Sequence, residues 1–172
     1  MQMLTAGVLV ISDRGWRGER GDTSGQVARE CLSQLPVTVT KYEIVPDEKD
    51  VISSKLSEWV DKSKLDLIIT SGGTGLSPRD VTPEATLAVV EKVIPGLTEA
   101  MRVETIKAKP EAMLSRAVAG SRGKCLIVNL PGSPGGVREC LGVIMPVLLH
   151  ALEILGGKIF EGNHCTDGLN AH

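Results

Sequence analysis

Aromatic residues are nearly absent from this chain: two Trp, one Tyr and one Phe make up 2% of it. Its core must therefore be aliphatic. Positive charge is also in short supply. Nineteen Lys and Arg stand against 21 Asp and Glu, a formal net charge of −2; that total implies no strongly basic face, which makes nucleic acid a poor first expectation. Long apolar runs are missing too. The longest, Val143 to Leu149, is interrupted by Pro146 and falls far short of the ~20 residues that span a bilayer. Met1 to Gly7 carries neither the basic leader nor the apolar core of a secretory signal. The four cysteines, Cys31, Cys125, Cys140 and Cys165, form no C-x-x-C pair. That suggests neither a zinc knuckle nor a thioredoxin-like site and leaves free thiols in a reducing cytoplasm as the plain reading. Neither a nucleic acid nor a membrane is expected as a partner.

What is present is a set of short apolar runs set between helical patterns. At 172 residues the chain is long enough to bury a sizeable core. It is expected to form one domain over residues 1–160, followed by a polar, Gly-containing tail over 161–172. Val8 to Ile11, Leu67 to Ile69 and Leu126 to Val128 do not alternate with polar residues, as expected of strands covered on both faces. Val37 to Val45 alternates in part and reads as a strand nearer an edge. Helical spacing recurs at Ala28, Cys31, Leu32 and Leu35, at Ile52, Leu56, Trp59 and Val60, at Leu87, Val90 and Ile94, and from Val137 to Leu155. Pro146 is expected to kink or split the last of these. The alternation of strand and helix predicts a three-layer α/β/α sandwich with a mainly parallel sheet. Gly96 to Gly120 is less regular and reads as an inserted helical and hairpin-like region.

Each candidate strand ends in unusual chemistry: Ser12-Asp13, Pro46-Asp47, Ser71-Gly72-Gly73-Thr74-Gly75 and Asn129-Leu130-Pro131-Gly132-Ser133. In open parallel sheets, ligands bind beyond the carboxyl ends of the strands. The Gly72–Gly75 loop has no following Lys-Ser/Thr for a Walker loop, and Pro78 stands where a dinucleotide fingerprint needs its third glycine. It can still adopt positive φ and turn N–H groups toward an anion; the bland alternative is a structural turn. Thr82-Pro83 and Ser133-Pro134 read as helix starts, with the hydroxyl residue as N-cap, and helix N-termini suit phosphate. Asp13, Asp47 and Asp80 lie nearest the strand ends. Singly each is a turn residue. Jointly, beside a phosphate, they suggest a hard cation such as Mg²⁺. Trp16 and Arg17 can cover a ligand ring or simply form a surface loop.

Taken together these motifs resemble the molybdenum-cofactor biosynthesis family of MogA, MoaB and the gephyrin G domain. The carriers are Val8 to Asp13, Asp22-Thr23-Ser24-Gly25, Gly72 to Gly75 with Pro78 to Thr86, Ala112 to Arg116, and Asn129 to Pro134. The resemblance covers nearly the whole chain. It implies a homotrimer and binding of molybdopterin. For the MogA branch it implies Mg²⁺-dependent adenylylation of the molybdopterin phosphate by ATP, with hand-over to a separate MoeA-like insertase. Some MoaB proteins lack the Pro-Asp of the second strand end and are thought inactive in this step; here Pro46-Asp47 is intact, so the chain resembles the active branch. A MoaB-like binding protein without chemistry is the alternative. The resemblance assigns Asp47 and Asp80 to catalysis and metal. It assigns substrate contacts to Ser12, Asp13, Ser71, Gly72, Gly73, Thr74, Gly75, Thr105, Ser115, Asn129, Pro131, Gly132 and Ser133. The pterin is expected around Ser115, Asn129 and the Pro131–Ser133 loop.

Overall fold

The structure, a computed structural model, describes residues 3–157. The expected tail over 161–172, with His164, Cys165 and His172, lies outside the described residues. Six strands form one sheet in the order β2-β1-β3-β6-β5-β4. β1 (Leu4–Ile11), β2 (Val37–Val45), β3 (Leu67–Ser71) and β6 (Cys125–Leu130) run parallel, while β4 (Lys92–Val93) and β5 (Ala119–Arg122) are antiparallel additions at one edge. β2 forms the other edge, as its mixed pattern predicts.

Helices cover both faces because the inner strands are apolar on both. Ala6, Val8 and Val10 of β1, Leu67 and Ile69 of β3, and Leu126 and Val128 of β6 share one core. That core is roofed by α2 (Ser24–Leu32), α5 (Pro95–Ile106) and α6 (Pro134–Leu155). Leu9, Ile11, Ile68 and Ile127 point the other way, against Ile52, Leu56 and Trp59 of α3 (Lys49–Asp61) and Ala85 of α4 (Thr82–Leu87). The result is the three-layer sandwich. Trp59 lies so close over β1 that a Cβ at Gly7 would come within 2.6 Å of its ring.

Two local expectations are corrected and a third is narrowed. Leu87, Val90 and Ile94 do not continue one helix: α4 stops at Leu87, and Lys92–Val93 pairs with β5. Pro95 disfavours helical backbone at Ile94, and the edge of β5 offers partners for the ladder instead. Leu35 lies beyond the end of α2. α6 is not split at Pro146, which leaves the kink of the two outcomes expected there. The carbonyl freed four residues earlier belongs to Gly142, on the exposed side with open space around it, where water can satisfy it.

Candidate functional site

Parallel pairing brings the carboxyl ends of β1, β2, β3 and β6 to one edge, so their loops converge there. After β3 the backbone turns through Gly72 at φ 105° and Gly73 at φ 66°, a region side chains rarely tolerate. A Cβ at Gly72 would land on the Ile11 carbonyl oxygen, and one at Gly73 on Thr82 Oγ1. Thr82 is not an N-cap: Val81 takes that place, Pro83 is the second helical residue, and Thr82 Oγ1 donates to Gly72 O at 2.9 Å. The hydroxyl thus ties α4 to the turn. The N–H groups of Gly73, Thr74 and Gly75 have no acceptor among the described residues, the condition for an anion nest. Ser133 does cap α6, its Oγ accepting from Gly136 N at 3.1 Å.

Two clefts meet along these loops. The first, about 350 Å³, is lined by Ser12, Asp47, Ser71, Gly72, Gly73, Asp80, Gly132 and Ser133 together with Arg20 to Ser24. The second, about 290 Å³, is lined by Thr74, Gly75, Thr105, Ser115, Pro131 and Ser133, with Arg102 and Lys109. Ser133 borders both. A larger cavity of about 590 Å³ sits at the opposite end of the sheet, between Leu4, Asp66, Arg122 and Leu152. It contains neither nest nor capped helix start, so its size does not make it the candidate site.

The three strand-end aspartates differ in partners. Asp13 and Asp47 exchange backbone hydrogen bonds: Asp13 N donates to Asp47 Oδ2 at 2.8 Å, and Asp47 N donates to Asp13 Oδ1 at 3.0 Å. Arg79 then grips Asp13 with two bonds of 3.0 and 2.9 Å and reaches Glu48 at 2.9 Å. That guanidinium holds the Asp13 carboxyl below the usual carboxylate value. Asp47 is shifted the opposite way. Burial pushes its carboxyl up and the charges of Asp13 and Asp80 add to this, against the Asp13 N–H bond and Arg79. Asp80 Oδ2 accepts from Ser77 N at 3.0 Å, in space that a Cβ at Gly75 would invade.

Two of the expected substrate contacts have their polar atoms engaged within the protein. Asp13 lines neither cleft, and its oxygens are engaged by Arg79 and the Asp47 N–H. Asn129 is fully buried. Its Nδ2 donates to Thr70 Oγ1 and Thr86 Oγ1, both at 2.9 Å, and its Oδ1 accepts from Val118 N at 3.1 Å, so it joins β3, α4 and the approach to β5. The joint reading of three aspartates also changes: no group of three or more His, Cys, Asp or Glu suited to a metal occurs among the described residues. Asp47 and Asp80 each accept through Oδ2, and their Oδ1 atoms have no hydrogen-bond partner among the described residues. A pair of carboxylates completed by phosphate oxygens suits Mg²⁺, which seldom takes an all-protein cage. Thr105 Oγ1 donates to Met101 O at 2.7 Å, and Ser71 Oγ to Pro131 O at 2.9 Å, so both hydroxyls brace their walls. Trp16 is exposed and lines neither cleft. Cys125 and Cys140 are buried, their thiols pushed up by burial to about 12 and about 11, which leaves them inert.

Sequence reasoning missed the cations. Arg79 and Arg116 lay inside motifs without a role, and Arg102 was not singled out. Asp22 Oδ1 accepts from Gly25 N at 2.9 Å and Ser24 Oγ at 3.2 Å, bracing the start of α2; the Asp-Thr-Ser-Gly spacing was the available signal.

A family model described as a probable molybdopterin binding domain matches residues 7–150. The molybdopterin adenylyltransferase of Helicobacter pylori J99 is 42% identical over 165 residues, covering 95% of this chain and 94% of that protein. The molybdenum cofactor synthesis protein cinnamon of Drosophila melanogaster is 44% identical over 160 residues, 92% of this chain, but the chain spans only 27% of its length. The crystal structure of the molybdopterin biosynthesis enzyme MoaB from Thermus thermophilus superposes with a TM-score of 0.86 at 52% identity, covering 91% of this chain and 98% of that one. With the Gly-turn, the capped α6 and the parallel strand ends in place, the chain belongs to the molybdopterin-binding domain family that includes MogA and MoaB.

Proposed function

We propose that the chain is a molybdopterin adenylyltransferase, which joins AMP from ATP to the molybdopterin phosphate and releases pyrophosphate. The observation that carries this reading is that Asp47 and Asp80 line the first cleft beside the turn Gly73 to Gly75, whose N–H groups have no acceptor among the described residues. Near-full-length relatives named molybdopterin adenylyltransferase support it.

In the reaction a phosphate oxygen of molybdopterin bonds to the α-phosphorus of ATP. The bond from that phosphorus to the bridging oxygen breaks, and its electron pair leaves on pyrophosphate. The attacking phosphate is ionised at neutral pH, so no residue need act as a base. The difficulty is to bring anions together, which calls for preorganised dipoles and positive charge. The Gly73–Gly75 amides and the start of the long helix α6 supply the dipoles. Asp47 and Asp80 would hold Mg²⁺, which when bound neutralises charge on the phosphates. The second cleft, walled by Ser115, Pro131 and Ser133, would take the pterin; Arg102 and Lys109 also line it.

Several finer points belong to the same reading. They are a homotrimer, residues 1–160 as a single domain with a tail over 161–172, a cytoplasmic location, and hand-over of the product to a MoeA-like insertase. The deciding experiment supplies purified protein with ATP, Mg²⁺ and molybdopterin and follows pyrophosphate. Release that depends on molybdopterin supports the proposal. Tight pterin binding without release would replace it with the MoaB-like carrier.

A further inference from the structure

We propose that Arg116 is a positioning residue that sets the Asp80 carboxylate and joins it mechanically to the wall of the second cleft. This rests on the assignment of Asp80 to the metal in the proposed function. The observation is one side chain bonded to three separate points, two on the loop from Gly75 to Asp80 and one on α4. Nε donates to Gly75 O at 2.8 Å, one terminal nitrogen donates to Asp80 O at 2.7 Å, and the other pairs with Glu84 Oε1 on α4. The backbone adds a fourth tie, Arg116 N donating to Thr74 O at 2.9 Å. The loop from Gly75 to Asp80 is thereby closed at both ends by a single guanidinium.

Only arginine can do this. Its donors leave a rigid plane in divergent directions, whereas lysine presents one point charge. Glu84 fits the scheme: burial raises its carboxyl, but the Arg116 bond and charge, with a backbone hydrogen bond and Lys49, together leave it below the usual value. It therefore stays ionised and holds the fork in place. The second half of the inference comes from the chain itself. Ser115, the preceding residue, lines the second cleft, and Ser115 O accepts from Arg102 at 3.3 Å. A ligand pressing on Ser115 acts on the residue adjoining the one that sets Asp80.

A simple structural clip would stabilise the fold without tuning the metal, so the test must separate the two. Mn²⁺ binding to the whole chain in the presence of a non-hydrolysable ATP analogue is followed by electron paramagnetic resonance for wild type, Arg116→Gln, Arg116→Lys and Arg122→Gln. Arg122 is the control: it pairs with Asp61 at 2.8 Å at the far end of β5. Loss of a residue that orients a metal ligand weakens affinity roughly 10- to 100-fold. That loss is expected in both Arg116 variants, with lysine giving little rescue. Millimolar guanidinium should restore part of the binding in Arg116→Gln. Arg122→Gln should lower the melting temperature and leave Mn²⁺ binding unchanged. Wild-type Mn²⁺ binding in Arg116→Gln would overturn the proposal, as would equal loss in the Arg122 control or full rescue by lysine. Because this measurement needs no adenylyl transfer, it stands apart from the pyrophosphate assay. A wild type that binds Mn²⁺ with nucleotide but releases no pyrophosphate would sink the functional reading and leave Arg116 to be judged on binding.

Discussion

Replacing Asp47 by Asn separates what the carboxylate costs the fold from what it gives the site. Asp47 is half-buried, and burial with two neighbouring carboxylates raises its pKa above the ordinary aspartate value. The folded chain thus holds this proton more tightly than the unfolded one. Below the ordinary aspartate range the group costs nothing. As pH rises through the raised value that advantage is lost, and at neutral pH the full cost is present. Asn keeps the size, and its carbonyl can still accept from Asp13 N, the bond made at 2.8 Å. The site is partly open to solvent and Arg79 offsets some repulsion, so the gain is modest: up to about 1 kcal/mol, or roughly 2–4 °C in Tm for a chain of this size. Turnover should move the other way, falling on the order of 10²-fold or more, the scale of losing an electrostatic stabiliser.

The assay pairs thermal denaturation in chelator across pH with pyrophosphate release at saturating Mg²⁺. The variant should melt higher at neutral pH, and its advantage should shrink to nothing in acid. A variant less stable than wild type at neutral pH would refute the desolvation argument. Normal turnover would refute the metal assignment.

Three further outcomes follow from particular contacts. Gly72→Ala puts a side chain at φ 105° against the Ile11 carbonyl and should cost at least about 2 kcal/mol, seen in urea denaturation; an unchanged midpoint would mean the turn can relax. Asn129→Ala strands Thr70, Thr86 and the Val118 N–H, a loss of about 3 kcal/mol or roughly 6–12 °C, with KM for molybdopterin unchanged in the folded enzyme; a raised KM at full stability would restore Asn129 to the pterin site. Arg79→Ala removes a cation that lowers the Asp47 pKa, so the acid limb of the pH–rate profile should shift to higher pH, and a shift to lower pH would contradict the network.

The inner strands were legible because their chemistry is local. Val8 to Ile11, Leu67 to Ile69 and Leu126 to Val128 are apolar on both faces, and both faces are covered. The segment from Leu87 to Ile94 was not legible. Its apolar spacing suits a helix, but a two-residue pairing with β5 and the following Pro95 outweigh that weak local preference. Thr82 shows the same limit on a smaller scale. A Thr-Pro-Glu run is a sound cap signal, yet the hydroxyl is taken by Gly72 O ten positions earlier.

At the site, the glycine turn was readable since only glycine suits its two positive φ values in succession. The aspartates were told apart only through the family resemblance, and the reason is physical. Asp13, Asp47 and Asp80 all follow strand ends and carry the same carboxylate, so nothing local distinguishes them. What separates them is a cation far away in sequence: Arg79 lies 66 positions from Asp13 and binds it through both oxygens. Asp13 is thereby held in an ion pair, while Asp47 keeps a raised pKa, lines the first cleft and has an Oδ1 without a hydrogen-bond partner among the described residues. Arg116 makes the same argument from the other side, since its partners Gly75, Asp80 and Glu84 lie 41, 36 and 32 positions away. A motif identifies which residues are present at such a site. Which carboxylate remains free for chemistry is decided by where the arginines fall once the sheet has formed.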